Sequence, residues 1–260
     1  MAALSFPALA PREQISEKTS PAPLREALRR IFSGIDKGLW LVGGTALAGY
    51  YAEHRRSDDL DLFAIDETAF QMAIGAVRSL AKKGASPSNE RRSPTFFHVD
   101  LLFQGHPFTI DVVLDENLHR VGAVHRTKDG ILVADLQTLF GSKVACLISR
   151  CSEKDLFDLH WIFDRLGKID VSRMIRAGRE FDAGLKPETL LIGLQGTTLR
   201  EAACGFVLPG SGINAHQAFN RIVSLKKRLI DAVLEFDKKG PLSKDAERLS
   251  RAVKEERRSR

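Results

Sequence analysis

Cysteine is scarce in this chain of 260 residues: there are three, Cys146, Cys151 and Cys204. So few, so irregularly spaced, exclude a disulfide framework and a four-ligand zinc site, and a reducing cytoplasm is the expected compartment. Equally missing is an apolar run long enough to span a bilayer, so no membrane association is expected. The opening "MAALSFPALAPREQ" lacks a basic leader, and Pro7 and Pro11 break its short apolar run, which argues against a secretory signal. No internal repeat is present, and the histidines show no ligand spacing. Acidic charge is in mild deficit: the formal net charge is +6, which permits an anionic partner without demanding one. That excess is uneven, since residues 226–260 carry 12 Lys/Arg against 7 Asp/Glu.

What is present is a 43% hydrophobic chain that should fold around a proper core. Order is expected to begin near Pro21, leaving 1–20 as a poorly ordered arm. Helical spacing of apolar residues predicts a helix over 24–35, and "LWLV" (39–42) a short strand stopped by two glycines. "TALAGYYAEH" reads as a helix, "DDLDLFAI" as a strand and "ETAFQMAIGAVRSLAKK" as an amphipathic helix. "GASPSNERRSP" (84–94) has the composition of a mobile loop. "TFFHVDLLF" and "PFTIDVVLDE", joined by "QGHP", predict an antiparallel pair, and "GILVA" (130–134) a further strand. From Asp135 the pattern is helical only. "DLQTLFGSKVACLISRC" and "SEKDLFDLHWIFDRLG" form a hairpin, followed by helices near 170–183, 187–204 and 214–237 and a weaker charged helix to 257. An α/β front half, 21–134, therefore hands over to a helical domain, 135–260, expected to complete a cleft.

The chemistry concentrates in "LVGGTALAGYYAEHRRSDDLDLF" (41–63). On a strand, Asp59 and Asp61 share one face while Leu60 and Leu62 point the other way. Adjacent carboxylates repel unless cations lie between them, and hard oxygen ligands at that spacing suit Mg²⁺, which shares its remaining positions with substrate phosphates. Gly43 and Gly44, ending a strand just before a helix, let backbone N–H groups approach an anion. Taken alone, Gly-Gly is commonly a turn and Asp-x-Asp a solvated strand end; the combination is rarer than either part.

Gly-Gly, 13 residues, then "DDLDL" resembles the signature of the DNA polymerase β-like nucleotidyltransferase superfamily. The fuller stretch is similar to its AbiEii/AbiGii branch, the toxins of abortive-infection toxin–antitoxin systems, where a "GGTAL…hR.S.DiDlf" type of motif is typical. "KVACLISRCSEKDLFDLHWIF" (143–163) is similar to the same branch's downstream lysine-to-"RD..DL" block. The resemblance covers about 41–163. It implies a nucleotidyltransferase fold, α/β (α+β), with a mixed sheet, flanking helices and a C-terminal helical domain.

By the same resemblance Gly43 and Gly44 are the phosphate-cradling pair. Gly44 stands where many relatives have serine, and Thr45 could replace the missing hydroxyl. Asp59 and Asp61 match the metal-binding pair of a two-metal site. The third carboxylate comes from a later strand: Asp111 in "FTIDVVL" is preferred, and Asp100 in "FFHVDLLF", with His98 on its face, stays open. Lys143 interrupts the apolar stripe of its helix; it either snorkels to solvent or, as the resemblance implies, contacts the nucleotide phosphates. Asp155 matches the "RD..DL" aspartate, yet "SEKD" is also a capping box that would account for it. Lys154 replaces an arginine often seen there, and Asp158 faces the same side and could pair with Lys143 or Arg150.

The function expected is transfer of a nucleoside monophosphate from an NTP to a hydroxyl, with Mg²⁺ in a two-metal site and a cognate antitoxin as partner. Relatives that modify tRNA, together with the basic 226–260 segment, suggest RNA, most plausibly tRNA, as acceptor. Alternatives are a protein side-chain acceptor and a non-catalytic nucleotide-binding relative. A glycosyltransferase also uses Asp-x-Asp, but the upstream Gly-Gly and the lack of a long doubly wound pattern speak against it.

Overall fold

The computed structural model describes residues 9–238. Helix α1 (Ala22–Phe32) starts at a proline-rich entry that presets the backbone for its first turn, and β1 (Leu39–Val42) follows, buried throughout. A short helix α2 (Gly43–Ala46) widens into a π-helical turn over Leu47–Ala52 and ends at Glu53 in the left-handed conformation, φ +47°. Strand β2 (Asp59–Ala64) leads to α3 (Glu67–Ser79), capped by the Asp66 carboxylate, which accepts from the Ala69 amide at 2.7 Å.

Next come β3 (Ser86–Arg92), β4 (Phe96–Phe103) and β5 (His106–Leu114). Strands β4 and β5 pair antiparallel through Gln104 and Gly105, whose positive φ of +50° and +77° gives the tight hairpin turn. A helical turn α4 (Leu118–Val121) and strand β6 (Val124–Arg126) precede β7 (Leu132–Ala134). The sheet is seven-stranded and mixed, in the order β3-β4-β5-β2-β1-β7-β6.

Asp135 ends the sheet and caps α5 (Leu136–Ser149), which turns at Cys151 into α6 (Glu153–Leu166), where Ser152 and Asp155 form a reciprocal capping box. Then come α7 (Val171–Arg179), α8 (Pro187–Gly196), a 3₁₀ turn at Glu201–Cys204 and the long α9 (Ala215–Lys238). One continuous apolar cluster runs from Ile15 to Val233, so the helical half closes on the sheet through a shared core. No described helix is long and apolar enough to cross a membrane.

Several expectations are corrected. Residues 86–92 are not a mobile loop but an edge strand with every side chain exposed, so apolar alternation had nothing to report. A bulge between Ser88 and Arg91, with Asn89 at φ +52°, irregularises that edge. Residues 12–20 are not a loose arm. The π-helical turn frees the carbonyls of Gly49 and Tyr50, and the amides of Ser16 and Arg12 donate to them at 2.9 and 2.7 Å. Ile15 is buried against Gly49, where a Cβ would meet it at 2.9 Å. The helices expected near 170–183 and 187–204 stop earlier, at Arg179 and Gly196. Strand β6 and α4 carry no clear sequence signal, and the helix expected to 257 lies outside the described residues beyond 238.

Candidate active site

Strand β2 sits between β1, antiparallel, and β5, parallel. Its side chains alternate, with Leu60, Leu62 and Ala64 in the core and Asp59 and Asp61 half-buried on the opposite face. The β2–β5 register aligns Asp59 with Thr109 and Asp61 with Asp111, so three carboxylates share one sheet face. Asp100 lies one strand further out, aligned with Thr109. Its tie to the row is His98, whose Nδ1 is 2.6 Å from Asp111 and Nε2 3.1 Å from Asp100. Asp111 borders the cleft and Asp100 does not.

Gly43 lies directly beneath Asp61, its neighbour Val42 being Asp61's partner in the ladder. Its φ is +66°, and a Cβ there would overlap the Asp61 carboxylate. The glycine is thus required twice over, by conformation and by close approach. At Gly44 a Cβ would collide with the Arg55 guanidinium. Thr45 is a correction: it is fully buried, and its hydroxyl donates to the Asp59 carbonyl and lies 3.0 Å from Ser57 Oγ, beneath the strand rather than into the cleft.

The far wall of the cleft, which has a volume of about 300 Å³, is cationic and comes from the α5–α6 hairpin. Lys143 does not snorkel. It is 4% exposed, and its Nζ lies 2.8 Å from both Asp155 Oδ1 and Asp158 Oδ2. Asp158, fully buried, also takes Arg55 Nε at 2.6 Å and Nη2 at 2.8 Å, with His54 Nε2 at 2.8 Å. Arg150 pairs with Asp155 at 3.0 Å, so of the two partners considered for Asp158, Lys143 is the one it meets. Asp155 therefore both caps α6 and neutralises two cations.

Burial alone would raise Asp158, but Arg55 and Lys143 outweigh it and hold its carboxyl well below the usual range. Asp155 behaves likewise through Lys143 and Arg150. Burial would lower Lys143, yet the two aspartates push it up, so it stays charged. Asp61 goes the other way: burial raises it, Lys143 partly counteracts this, and Asp59 and Asp111 add to the rise. One half of the site is a cross-paired ion cluster in which Arg55, Lys143 and Arg150 share two aspartates; the other is a row of carboxylates short of positive charge.

That shortage is the test of fit for a divalent ion. Among the described residues no three His, Cys, Asp or Glu side chains converge on one point. A magnesium ion does not need that, since it keeps waters and completes its shell with substrate phosphates. The donors available are hard carboxylate oxygens on one sheet face, and Asp61 is destabilised as an anion. Asp59, Asp61 and Asp111 fit the ion.

Sequence reasoning missed Arg55, Ser57, Thr109, Arg150 and Ser152 as wall residues. Arg55 and Arg56 are adjacent and look alike in sequence, yet the first is 2% exposed and the second open to solvent. The usable signal lay elsewhere, in two aspartates one turn apart on the buried face of α6 that require buried cations.

A carboxylate row over a glycine turn, on this mixed sheet and facing a cationic wall, defines a nucleotidyltransferase. The chain belongs to the family described as Nucleotidyl transferase AbiEii toxin, Type IV TA system, which matches residues 26–251. Among solved structures it is similar to MenT4, a nucleotidyltransferase toxin from Mycobacterium tuberculosis, with 16% identity and a TM-score of 0.50. That match covers 80% of this chain and 82% of the other, and is a likeness of fold. JHP933 from Helicobacter pylori matches at 14% identity and a TM-score of 0.43, covering 83% of this chain and 92% of that one. No curated protein matches the chain.

Proposed function

We propose that this chain transfers a nucleoside monophosphate from an NTP to a hydroxyl group of RNA, tRNA being the acceptor, in a magnesium-dependent reaction. The observation that carries the reading is the alignment of Asp61 with Asp111 across β2 and β5, with Asp59 on the same face. Magnesium, when bound, would neutralise charge developing at the phosphorus and favour ionisation of the attacking hydroxyl. The chain's own residues would do the rest. Asp59, Asp61 and Asp111 would hold the ions; the backbone at Gly43 and Gly44, with the N-terminus of α2, would admit the phosphates closely. Lys143 and Arg55, locked by Asp158, would set the positive potential of the wall, a preorganised charge that needs no rearrangement during reaction. The acceptor oxygen forms a bond to the α-phosphorus as the bond to pyrophosphate breaks, and pyrophosphate leaves.

A type IV toxin family implies a cognate antitoxin as a further partner. RNA is favoured over protein by the exposed Lys227 and Arg228 on α9 and by the basic excess of 226–260. Lys226 is excluded from that surface, since its ammonium donates to the Thr197 carbonyl at 2.5 Å. The test is incubation with each α-labelled NTP, magnesium and either total RNA or lysate protein. Label in tRNA supports the proposal; label in protein alone replaces the acceptor; no transfer to either refutes the reading.

A further inference from the structure

We infer that Lys154 is an exchangeable cation of the site, lying on Asp59 when the cleft is empty and moving to the substrate's phosphates when a divalent ion takes its place. The inference rests on the nucleotidyl-transfer reading above and assigns a second position to one side chain. The cations of the wall are not equivalent. Lys143 and Arg55 are buried and held by Asp155 and Asp158, so neither can leave without exposing a charge to an apolar interior. Arg150 is tied to Asp155 through two nitrogens, at 3.0 and 3.2 Å. Lys154 differs: among the described residues its ion pair, at 3.4 Å, is to Asp59 Oδ2 and not to Asp155 or Asp158, and its side chain is 42% exposed where Lys143 and Arg55 are buried.

Asp59 is itself divided. Its Oδ1 accepts from the Thr109 hydroxyl at 3.1 Å, which leaves Oδ2 as the oxygen for a metal, and that is where the ammonium lies. A divalent ion and Lys154 therefore compete for one atom. Helix stability does not explain the lysine. It occupies the first turn of α6, where the helix dipole favours acids and disfavours a cation. Once displaced, its four-carbon stem keeps the ammonium in the cleft it already lines, beside the position phosphates would take.

The test is Lys154→Met on the full chain, with two binding measurements that need no acceptor and no turnover. Mn²⁺ binding to the apo chain, followed by the electron paramagnetic resonance signal of free Mn²⁺ at low salt, should tighten roughly two- to fivefold, the range for removing an exposed competing ion pair. Binding of tripolyphosphate in the presence of Mg²⁺ should weaken by about tenfold or more, as expected for loss of a charged contact. A lysine with only a surface role moves neither quantity. Unchanged Mn²⁺ affinity, or unchanged tripolyphosphate affinity, overturns the exchange. Asp59→Asn separates the two levels of the argument: if it leaves Mn²⁺ binding intact, the metal assignment itself fails and the exchange falls with it.

Discussion

Asp158→Asn is the most informative single change, because it removes one charge and leaves the shape. The carboxylate is fully buried and faces three cationic or hydrogen-bonding partners, Arg55, Lys143 and His54. Burial pushes His54 toward its neutral form, so the asparagine leaves Arg55 and Lys143 to share, with Arg150, the single remaining carboxylate, Asp155. Breaking a buried ion pair from one side costs about 3–5 kcal/mol. For a chain of this length about 2 °C of melting temperature accompanies each kcal/mol, so the variant should melt about 6–10 °C lower at neutral pH. The sign with pH follows from the depressed carboxyl. Its contribution is complete above the unfolded value near about 4 and is lost as pH falls toward the much lower folded value. The difference between wild type and variant should stay level from about pH 8 to about pH 5 and shrink below about pH 4. Adding Arg55→Met, which removes the stranded guanidinium, should restore part of the loss. Thermal unfolding followed by circular dichroism across pH decides it. A variant that melts with wild type at neutral pH, or a double variant no better than the single, refutes the cluster as a coupled unit.

Asp61→Asn should abolish transfer while leaving the melting temperature equal or higher at pH 7. Its raised pKa makes the carboxylate a folding cost above the unfolded value, and the gain should vanish below about pH 4; a lower melting temperature at pH 7 contradicts this. Gly43→Ala should remove activity and cost roughly 1–3 kcal/mol, because a Cβ at φ +66° overlaps Asp61; a fully active variant refutes the close approach. Lys143→Ala should lower stability as well as NTP use, since it removes a buried partner from both Asp155 and Asp158, and unchanged melting would contradict its double pairing. Replacing Lys227 and Arg228 by glutamine should flatten the salt dependence of tRNA binding without altering NTP affinity; an unchanged slope removes α9 from the RNA surface.

The parts of the site that sequence displayed are those fixed by local periodicity. Asp59 and Asp61 two apart on a strand, and the glycines before a helix, need no knowledge of the rest of the chain. Asp111 required a strand order, because only the parallel pairing of β2 with β5 brings it level with Asp61 while Asp100 goes one strand further. Lys143 looked like an anomaly in an apolar stripe and was one, but its two partners, Asp155 and Asp158, come from the next helix, and Asp158 is shared with Arg55 from the segment before β2, contacts no local pattern encodes. Strand β3 was illegible for a simpler reason: it is held by backbone pairing to β4 and by polar side-chain contacts such as Glu90 with Arg78 and Asn89 with Asp100, and its exposed polar residues write nothing into the hydrophobic pattern. The arm at 12–20 was hidden because its anchors are carbonyls freed by a π-helical turn that sequence does not announce.

The bond between Arg55 and Asp158 spans 103 residues, and it bears on when activity can first appear. A chain emerging from the ribosome at about 5–20 residues per second carries its glycine turn and all three cleft carboxylates well before Asp158 is made. For roughly 5–20 s the guanidinium beneath the glycine turn lacks its Asp158 counter-charge. A nascent or prematurely ended chain therefore has the carboxylate row of the cleft but not the ion-paired wall that faces it. On the proposed reading, transfer begins only once most of the polypeptide exists.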